Sequence, residues 1–434
     1  MSHYTLKRNG ALYSISPWDP LLGPLMTYTL REFEFAAHKA KPTFTEEELY
    51  SVQPDGQTAV FPSGLYQRVV KNLKKRGHTY EVEDYRDLAA LMPAPDFTKV
   101  DELRRGQDKI LLAVAGQDGG LLVGGTGLGK SFLIVQICKM YPDLKIVVVS
   151  PRKPVVETLY EGLTEALGFV AVGQVGGGKV QTDRRVTVST VKSILKAPIQ
   201  DCDLLLFDEV HAVGRNQIGD KLAYVAKGRK FGFTATPEGR GDNAELVIEA
   251  LFGPILVDIP YEDAIKDGLV TPIEVHKYPV RSSAAFNTDG AIVTKKRHGY
   301  WRNTSRNETM AAVARMYPED EQVLIMVETL EHAIYLHKLL PEFSVVHCGG
   351  ANKKTTIGGV STGKYRMDDK RLGYLRRQFS KGELKKVIST TTWREGVILN
   401  LLRILETIYD NAFNCWKLLL STGCTKTISS EVLV

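Results

Sequence analysis

The segment Gly124–Ser131 has the residue types and spacing of a phosphate-binding loop. It reads Gly-Gly-Thr-Gly-Leu-Gly-Lys-Ser and fits the pattern G-x-x-x-x-G-K-[ST]. Glycines let backbone amides converge on phosphates, because no Cβ blocks the approach. We expect Lys130 to contact the β- and γ-phosphates of a nucleotide and the Ser131 hydroxyl to bind Mg²⁺. The nucleotide-binding residues predicted in this loop are Gly125, Thr126, Gly127, Gly129, Lys130 and Ser131.

A pair of carboxylates further along the chain supplies groups that such a loop lacks. Asp208 and Glu209 follow the apolar run Leu204–Phe207, which predicts a strand lying beside the strand that leads into the glycine loop. We expect Asp208 to bind Mg²⁺ and Glu209 to act as the general base or to position water. An Asp-Glu pair alone is usually a solvated turn, and the upstream loop favours the catalytic interpretation. The predicted catalytic residues are therefore Lys130, Asp208 and Glu209, with Ser131 and Asp208 as ligands of Mg²⁺.

Two threonines and a histidine are candidates for coupling the nucleotide to the rest of the protein. The segment Thr234-Ala235-Thr236-Pro237 ends the next predicted strand, and its hydroxyls can bond to the Asp208–His211 segment. Thr234 and Thr236 would then report the state of the γ-phosphate, and a proline-terminated strand cap is the alternative. His211 either couples the ATP site to a cleft between lobes or caps the end of a strand.

Alternating apolar strands and helices surround these motifs from about Leu103 onward. Continuous apolar strands separated by helices indicate a parallel sheet covered on both faces. The first set of strands is predicted at Leu121–Val123, Lys145–Ser150, Val186–Ser189, Leu204–Phe207 and Lys230–Thr234, with helices at Ser131–Met140 and Pro154–Leu167. The second set is predicted at Gln322–Val327, Ser344–His347 and Lys386–Ser389, with helices at Thr329–Leu340 and Lys370–Lys381.

The expected fold class is α/β, with two tandem parallel-sheet lobes and a small N-terminal α+β accessory domain. The predicted divisions are 1–98 for the accessory and candidate DNA-binding domain, 99–260 for the ATP-binding lobe, 261–305 for a linker with a basic insertion, 306–400 for a second, incomplete lobe and 401–434 for an atypical tail. Within the accessory domain, Ser63–Arg76 has helical spacing, with apolar residues on one side and basic residues on the other.

The overall composition is that of an ordinary soluble globular protein. The 434 residues are 43% hydrophobic and 24% charged, which argues against a disordered, collagenous or membrane protein. The N-terminus lacks a basic start followed by an apolar core, and no stretch is apolar for long enough to span a bilayer. The five cysteines are scattered without a C-x-x-C pair. We therefore expect reduced thiols, no zinc site and a cytoplasmic location, which would be the host cytoplasm for a phage-encoded protein.

A run of basic and aromatic residues between Lys295 and Arg306 is a candidate nucleic-acid contact. The net charge of +6 permits a polyanionic partner without requiring one. Basic side chains of the run could bind phosphates while Trp301 stacks on a base or wedges at a junction. A solvated linker whose Trp301 packs into the second lobe is the alternative, and the sequence does not separate the two. The candidates in this run are Lys295, Lys296, Arg297, Trp301 and Arg302.

The order of the motifs resembles that of superfamily-two helicases and translocases. It runs from the glycine loop through Asp208–His211 and Thr234–Pro237 to a second α/β lobe, and the resemblance covers about 103–397. It implies two RecA-like lobes, ATP and Mg²⁺ as cofactors, and nucleic acid as the partner. The resemblance assigns further roles to matching residues: adenine recognition by Gln107 with support from Arg104, contact with a nucleic-acid strand by Arg152 and Thr190, and coupling of nucleic acid to the ATP cleft by the segment that contains Gly396.

The Asp-Glu-Val-His box and the accessory domain look most like phage and repair DNA helicases that migrate branches, and less like Asp-Glu-Ala-Asp RNA helicases. This likeness implies DNA-stimulated ATP hydrolysis by a monomer that remodels forked or branched DNA. Two other functions stay open. One is an ATP- and nucleic-acid-binding remnant with little turnover, and the other is the motor subunit of a restriction or chromatin-type complex that would require a partner.

The sequence departs from the family pattern after Gly396. The family has a glutamine- and arginine-rich motif there, whose arginines stabilise the transition state of phosphoryl transfer, whereas this chain has Arg403 alone. We hypothesise that the reading frame was altered or truncated just after Val397, leaving a foreign tail. A divergent final motif, with Arg394 or Arg403 as a substitute, is the alternative. Sequencing the gene past this point tests the hypothesis, because an unbroken frame without a downstream arginine motif contradicts it.

Overall fold

A computed structural model divides the chain into two compact units, Met1–Val270 and Thr271–Val434. The residues that it describes are 2–36, 39–125, 127–151, 153–197, 202–212, 228–237, 245–269, 273–276, 278, 292–347, 356–365, 367–390, 402–406 and 417–421. Within these ranges, no helix is both long and apolar enough to cross a membrane.

The N-terminal part of the first unit is a small sheet packed against one helix. The strand order is Ser51–Val52, Ala59–Pro62, Leu12–Ser16, His3–Asn9 and Thr79–Asp84, and the last two strands pair in parallel. A separate hairpin is formed by Thr27–Ala36 and Lys39–Glu48. Helix Tyr66–Lys75 buries Val69, Val70 and Leu73 in the core of this part. Their helical spacing produces the predicted apolar face and leaves basic residues on the opposite face.

This accessory part shares its core with the first lobe. Ala250 belongs to the same buried cluster as the accessory residues and lies on helix Glu245–Phe252. The backbone at Gly64 approaches this helix so closely that a Cβ there would clash with the carbonyl oxygen of Glu249. A glycine is therefore required where the accessory part meets the lobe.

An eight-stranded sheet forms the first lobe. Its strand order is Lys179–Val180, Val172–Gly176, Val186–Thr190, Ile146–Ser150, Leu204–Asp208, Arg229–Thr234, Gly119–Gly124 and Ile255–Ile259. Neighbouring strands pair in parallel except the first two, which are antiparallel. Parallel strands present their carboxyl ends at one edge of a sheet, so Gly124, Asp208 and Thr234 lie along the same edge.

The predicted neighbour of the glycine-loop strand is wrong. The strand Leu204–Phe207 is predicted to lie beside it. Instead Arg229–Thr234 lies between the two, pairing with Gly119–Gly124 on one side and with Leu204–Asp208 on the other. Order along the chain does not fix order in a doubly wound sheet, because a crossover can carry the chain past a neighbouring position. The carboxylates therefore face the loop across the strand that ends at Thr234.

Helices cover both faces of this sheet, as its continuous apolar strands require. One buried cluster contains residues such as Ile110, Ile134 and Val148, and the other contains Val149 and Phe207. The helices within the described residues of the first unit are Tyr66–Lys75, Leu88–Leu91, Gln107–Gly116, Lys130–Met140, Lys153–Leu167, Val191–Ile194, Glu245–Phe252 and Tyr261–Lys266. The predicted helices and strands of the first set each lie within two residues of the observed bounds.

A six-stranded sheet forms the second unit. Its strand order is Ile273–His276, Lys417–Ser421, Leu402–Glu406, Val323–Met326, Lys386–Ser389 and Ser344–Val346. The last four strands pair in parallel, whereas Lys417–Ser421 is antiparallel to both neighbours. In the described part of this unit, the helices are Ile292–Lys296, Thr304–Arg315, Leu330–Leu339 and Asp369–Ser380, with a π-helical turn at Arg297–Trp301. The predicted α/β class with two parallel-stranded sheets is confirmed.

Two strands of the second sheet come from the segment 401–434, which is predicted to be an atypical tail. Leu402–Glu406 pairs with Val323–Met326, and Arg403 lies opposite Val323 in this register. Residues 391–401, 407–416 and 422–434 lie outside the described part of the chain. The altered reading frame and the proposed domain divisions stay predictions.

Candidate nucleotide-binding site

The glycine loop joins a buried strand to a helix. Strand Gly119–Gly124 ends where the loop begins, and helix Lys130–Met140 begins one residue earlier than predicted. Gly129 caps this helix with a φ of 84°, in the left-handed region where a side chain is strained. The amides at the start of a helix have no intrahelical acceptor, and they favour an anion there.

Arg104 and Gln107 contact the loop through its backbone. The Arg104 guanidinium donates to the carbonyl oxygens of Gly127 at 3.3 Å and Leu128 at 3.2 Å. Gln107 is fully buried, donates from Nε2 to the Leu128 carbonyl at 2.9 Å and accepts the Arg104 N–H at 3.0 Å. A Cβ on Gly129 would lie 2.8 Å from Arg104 Nη2 and 2.9 Å from Gln107 Nε2. Both side chains thus stabilise the loop, and the contact with adenine stays a prediction.

Two of the predicted catalytic residues form an ion pair at the carboxyl edge of the sheet. Lys130 Nζ lies 3.7 Å from Glu209 Oε1 and 3.4 Å from the Gly124 carbonyl oxygen. The Lys130 side chain is 10% exposed and that of Glu209 is 26% exposed, so water is partly excluded from the pair. Glu209 has a φ of 57°, which is uncommon for a residue with a side chain. Such strained backbone is concentrated at functional sites, which supports the catalytic interpretation.

Asp208 has the environment of a metal ligand. It is 3% exposed, and within the described residues its Oδ1 has no hydrogen-bond partner. Burial and then the negative charge of Glu209 raise the pKa of Asp208 to about 6. A buried carboxylate oxygen without a donor is destabilising, and a bound Mg²⁺ with its waters would satisfy it. The residues present therefore fit Mg²⁺ held by Asp208 and by the hydroxyl of Ser131 in the first turn of the helix.

The pKa of Glu209 is shifted in the opposite direction from the pKa of Asp208. Burial alone would raise the pKa of Glu209, but the hydrogen bond with His211 and the charge of Lys130 bring the pKa below its ordinary value. The distance from His211 Nδ1 to Glu209 Oε2 is 3.1 Å. Adjacent carboxyls whose pKa values are pushed apart are suited to different tasks. Glu209 is the ionised acceptor that can orient water, and Asp208 is the group whose charge a cation would stabilise.

His211 and Thr234 connect the carboxylates to the neighbouring strand. Thr234 is fully buried, and its Oγ1 lies 3.4 Å from His211 Nδ1. The same hydroxyl oxygen accepts the backbone N–H of Thr236 at 3.1 Å. The expected contact between the Thr234 hydroxyl and the Asp208–His211 segment is therefore present, whereas Thr236 takes part through its backbone. Their role in reporting the γ-phosphate stays a prediction.

Thr190 is the nucleic-acid candidate of the first lobe that the structure describes. Its Oγ1 accepts the N–H of Ser193 at 3.2 Å and thereby caps the short helix Val191–Ile194. This cap is a structural role that does not depend on a nucleic-acid strand. The other predicted residues Thr126, Arg152 and Gly396 lie outside the described part of the chain.

Trp301 is part of the core of the second unit. It is 7% exposed, and its Nε1 lies 3.4 Å from Glu328 Oε2. Glu328 also accepts from Lys296 at 2.7 Å. A tryptophan held in this way is not available to stack on a base without local rearrangement, so the geometry favours the packing alternative for this residue.

The arginines of the basic run are also paired within the second unit. Glu331 Oε2 lies 3.1 Å from Arg297 Nε, and Glu331 Oε1 lies 2.5 Å from Arg302 Nε. Lys295 is exposed and has no ion pair to any residue that the structure describes. Of the predicted candidates in this run, Lys295 is therefore the one whose charge is directly available to a phosphate.

Several partners in these contacts carry no signal in the sequence. Glu331 holds two arginines 29 and 34 residues away, and the carbonyl of Leu269 accepts from Arg104 at 2.9 Å across 165 residues. No local pattern marks such residues, because only the folded chain brings the two members of each pair together.

Residues 96–239 match the family described as "Type III restriction enzyme, res subunit", a range that includes the glycine loop and the carboxylate pair. The DNA 3'-5' translocase XPB2 of Sulfurisphaera tokodaii is 28% identical over 179 residues, covering 41% of this chain and 40% of that protein. Putative helicase 22 of Sulfolobus islandicus filamentous virus is 24% identical over 276 residues, covering 58% of this chain and 47% of that protein. The aligned regions thus span less than half of both relatives. The UvsW helicase from bacteriophage T4 is 14% identical with a TM-score of 0.44, covering 59% of this chain and 99% of that chain.

Proposed function

We propose that this chain is a superfamily-two helicase that couples ATP hydrolysis to movement along DNA. The match over residues 96–239 and the two helicase-type relatives confirm the resemblance that the order of motifs predicts. Since the aligned regions cover less than half of those relatives, the activity, the substrate and the partners of this chain are proposals that depend on its own residues.

The convergence of Lys130, Asp208 and Glu209 at one edge of the first sheet carries the proposal. Lys130 at the end of the glycine loop lies 3.7 Å from Glu209, and Asp208 presents a buried oxygen without a hydrogen-bond partner in the described residues. A cation, a metal ligand and an ionised acceptor for water are the parts that nucleotide hydrolysis requires. Bound Mg²⁺ would supply charge neutralisation on the phosphates. Lys130 would bind the phosphates, and Glu209 would orient the attacking water.

We infer DNA as the partner, with forked or branched duplexes as the preferred substrates. Support comes from the relative that is named a DNA translocase and from the motif order. Binding of ATP would close the two lobes on a strand, and hydrolysis would release it, which gives stepwise movement. We expect the protein to act as a monomer in the cytoplasm of its cell or of its host.

Phosphate release measured with and without a forked DNA duplex tests the proposal. We expect DNA to stimulate turnover in the natural sequence and Lys130→Ala to abolish it. Lys99→Ala is a matched control, because it removes one exposed lysine outside the nucleotide site and outside the predicted DNA contacts. A fork that stimulates no more than a linear duplex of equal length would contradict the preference for branched DNA.

A second candidate is a protein that binds ATP and DNA with little turnover. It is favoured by the sequence after Gly396, where Arg403 is the one arginine present, because a transition-state arginine contributes orders of magnitude in rate. This candidate predicts ATP binding that Lys130→Ala weakens, together with phosphate release that DNA does not stimulate. The same assay therefore decides between the two functions.

A further inference from the structure

We propose that a cleft behind the first lobe binds the phosphodiester backbone of duplex DNA. The rear cleft is the cavity of about 1110 Å³ between the helix Tyr66–Lys75 and the strand ends at Gly119 and Lys230. This proposal rests on the proposed function for the identity of its ligand. It adds a second DNA contact that is separate from the nucleotide site.

The rear cleft lies at the opposite edge of the sheet from the nucleotide site. Gly119 begins the strand that ends at Gly124, and Lys230 lies at the start of the strand that ends at Thr234. With a rise of about 3.3 Å per residue, the two edges are about 15 Å apart. DNA in the rear cleft would therefore not compete with a nucleotide on the glycine loop.

Every carboxylate among the described residues of the cleft wall is already paired with an arginine. Asp118 accepts from Arg86 at 2.9 Å and also from Arg8, and these two arginines hold the pKa of this partly buried carboxyl below its ordinary value. The pairs at the wall are Asp118 with Arg8 and Arg86, Asp84 with Arg86 at 2.7 Å, and Glu249 with Arg68 at 3.1 Å. These arginines and carboxylates largely neutralise one another, so the remaining charge of the wall comes from lysines.

Three of these lysines form a cationic stripe on the basic helix. Lys71, Lys74 and Lys75 all line the cleft, and all three are exposed. Residues spaced by three and four positions lie on one helix face, so the three ammonium groups face the same side. Lys74 lies 5.6 Å over the Tyr80 ring, and within the described residues none of the three has a carboxylate partner. The stripe is therefore available to neutralise phosphates.

A fourth lysine in the wall is buried beside like charges. Lys230 is 4% exposed and lines the cleft together with Arg8 and Arg86. Burial and then the charge of Arg8 lower the pKa of this amine to about 7, against the opposing effect of Asp118. Burying a charged amine is unfavourable unless an acceptor compensates it, and an anion in the cleft would stabilise its charged form. Both the rim and the inner wall of the cleft thus favour an anion.

The wall is suited to a phosphodiester backbone rather than to unstacked bases. Proteins that hold single strands offer exposed aromatic rings on which bases stack. Of the aromatic residues of this wall, Tyr13 and Phe252 are 4% and 5% exposed and belong to the core. The third, Tyr66, is partly buried, and its ring stacks on that of Tyr13 at a centroid distance of 4.7 Å. Lysines without exposed rings make contacts that are independent of sequence and strongly dependent on salt. A duplex, whose bases face inward, matches this chemistry.

The salt dependence of duplex binding tests the rear cleft. The full chain is titrated into a labelled blunt duplex without ATP, and affinity is measured by fluorescence anisotropy over a range of salt concentrations. The test variant combines Lys71→Gln, Lys74→Gln and Lys75→Gln. The matched control combines Lys99→Gln, Lys109→Gln and Lys179→Gln, which removes the same charge from exposed positions of the same unit outside the cleft.

We expect the test variant to flatten the slope of log affinity against log salt by about 3, since each lost phosphate contact reduces it by roughly 1. The control variant should keep the slope of the natural sequence. Equal slopes in the two variants overturn the proposal. The proposal is also overturned if the cleft binds inorganic phosphate but the test variant keeps the duplex slope of the natural sequence. ATPase stimulation by the forked duplex is measured in parallel. Absence of this stimulation counts against the proposed function, whereas an altered duplex slope supports the cleft whether or not ATP is hydrolysed.

Discussion

The substitution Gly129→Ala should weaken nucleotide binding through the contacts that hold the glycine loop. Gly129 has a φ of 84°, and a Cβ there would lie 2.8 Å from Arg104 Nη2 and 2.9 Å from Gln107 Nε2. Placing alanine in this backbone region costs about 1–2 kcal/mol. Displacing the two side chains removes hydrogen bonds to the loop, at roughly 1 kcal/mol for each bond.

The combined penalty of about 2–4 kcal/mol raises the free energy of the loop conformation that binds phosphates. Each ~1.4 kcal/mol of lost binding free energy lowers the affinity tenfold. Because the free loop can relax while the bound loop cannot, part of the penalty appears as lower stability and the rest as weaker binding. We therefore expect ATP affinity to fall by roughly tenfold to hundredfold. Titration of a fluorescent ATP analogue measures this change, and urea unfolding measures the accompanying loss of stability.

Gly116→Ala provides the matched control for this prediction. Gly116 ends the helix Gln107–Gly116, and a Cβ there would meet no atom within 4 Å. Alanine should be neutral or stabilising at this position, by up to roughly 1 kcal/mol. Nucleotide affinity that is unchanged in Gly129→Ala, or that falls equally in both variants, would refute the role assigned to the close approach of Arg104 and Gln107.

Two further predictions concern buried charges near the rear cleft. Asp118→Asn should destabilise the first unit by about 3–5 kcal/mol in urea unfolding, because Arg8 and Arg86 lose their shared carboxylate while staying buried. A change below about 1 kcal/mol would contradict the importance of the ion pairs that Asp118 forms with these two arginines. Lys230 has a folded pKa of about 7 against 10.5 for an exposed lysine, and it faces Arg8, Arg86, Asp118 and Cys202. Since the unfolded chain binds more protons between these two pH values, stability should rise with pH there by up to roughly 1 kcal/mol per pH unit. Lys230→Met should lack this rise in urea unfolding, and parallel pH profiles of the two proteins would contradict the lowered pKa.

Local patterns in the sequence predict most of the individual elements. The β-branched run at Lys145–Ser150 and the apolar spacing of Pro154–Leu167 give a strand and a helix within one residue of the observed bounds. Burial on both faces leaves such strands uniformly apolar, which makes them easy to recognise. The strands Val172–Gly176 and Ile255–Ile259 were not predicted, because glycine and proline interrupt the surrounding sequence and weaken the apolar pattern.

The order of strands in the sheet and the pairing of residues distant in the chain could not be predicted from the sequence. The position of Arg229–Thr234 between the loop strand and the carboxylate strand depends on crossovers, which no residue pattern encodes directly. For the nucleotide site, candidate residues can be chosen from the sequence because phosphate chemistry requires a fixed local spacing. For the basic run, residue identities alone left two alternatives open, because the partners Glu328 and Glu331 of Trp301 and its neighbouring arginines are brought close only in the folded chain.

The most direct test of the central claim is single-turnover ATP hydrolysis by Glu209→Gln in the presence of DNA. Glutamine keeps the size of the side chain but removes the ionised acceptor beside Lys130 and His211. We predict that ATP still binds in the presence of Mg²⁺ and that hydrolysis slows by about 10²–10⁴-fold. Hydrolysis at the rate of the natural sequence, with ATP binding intact, would contradict the assignment of Glu209 and with it the proposed ATPase site.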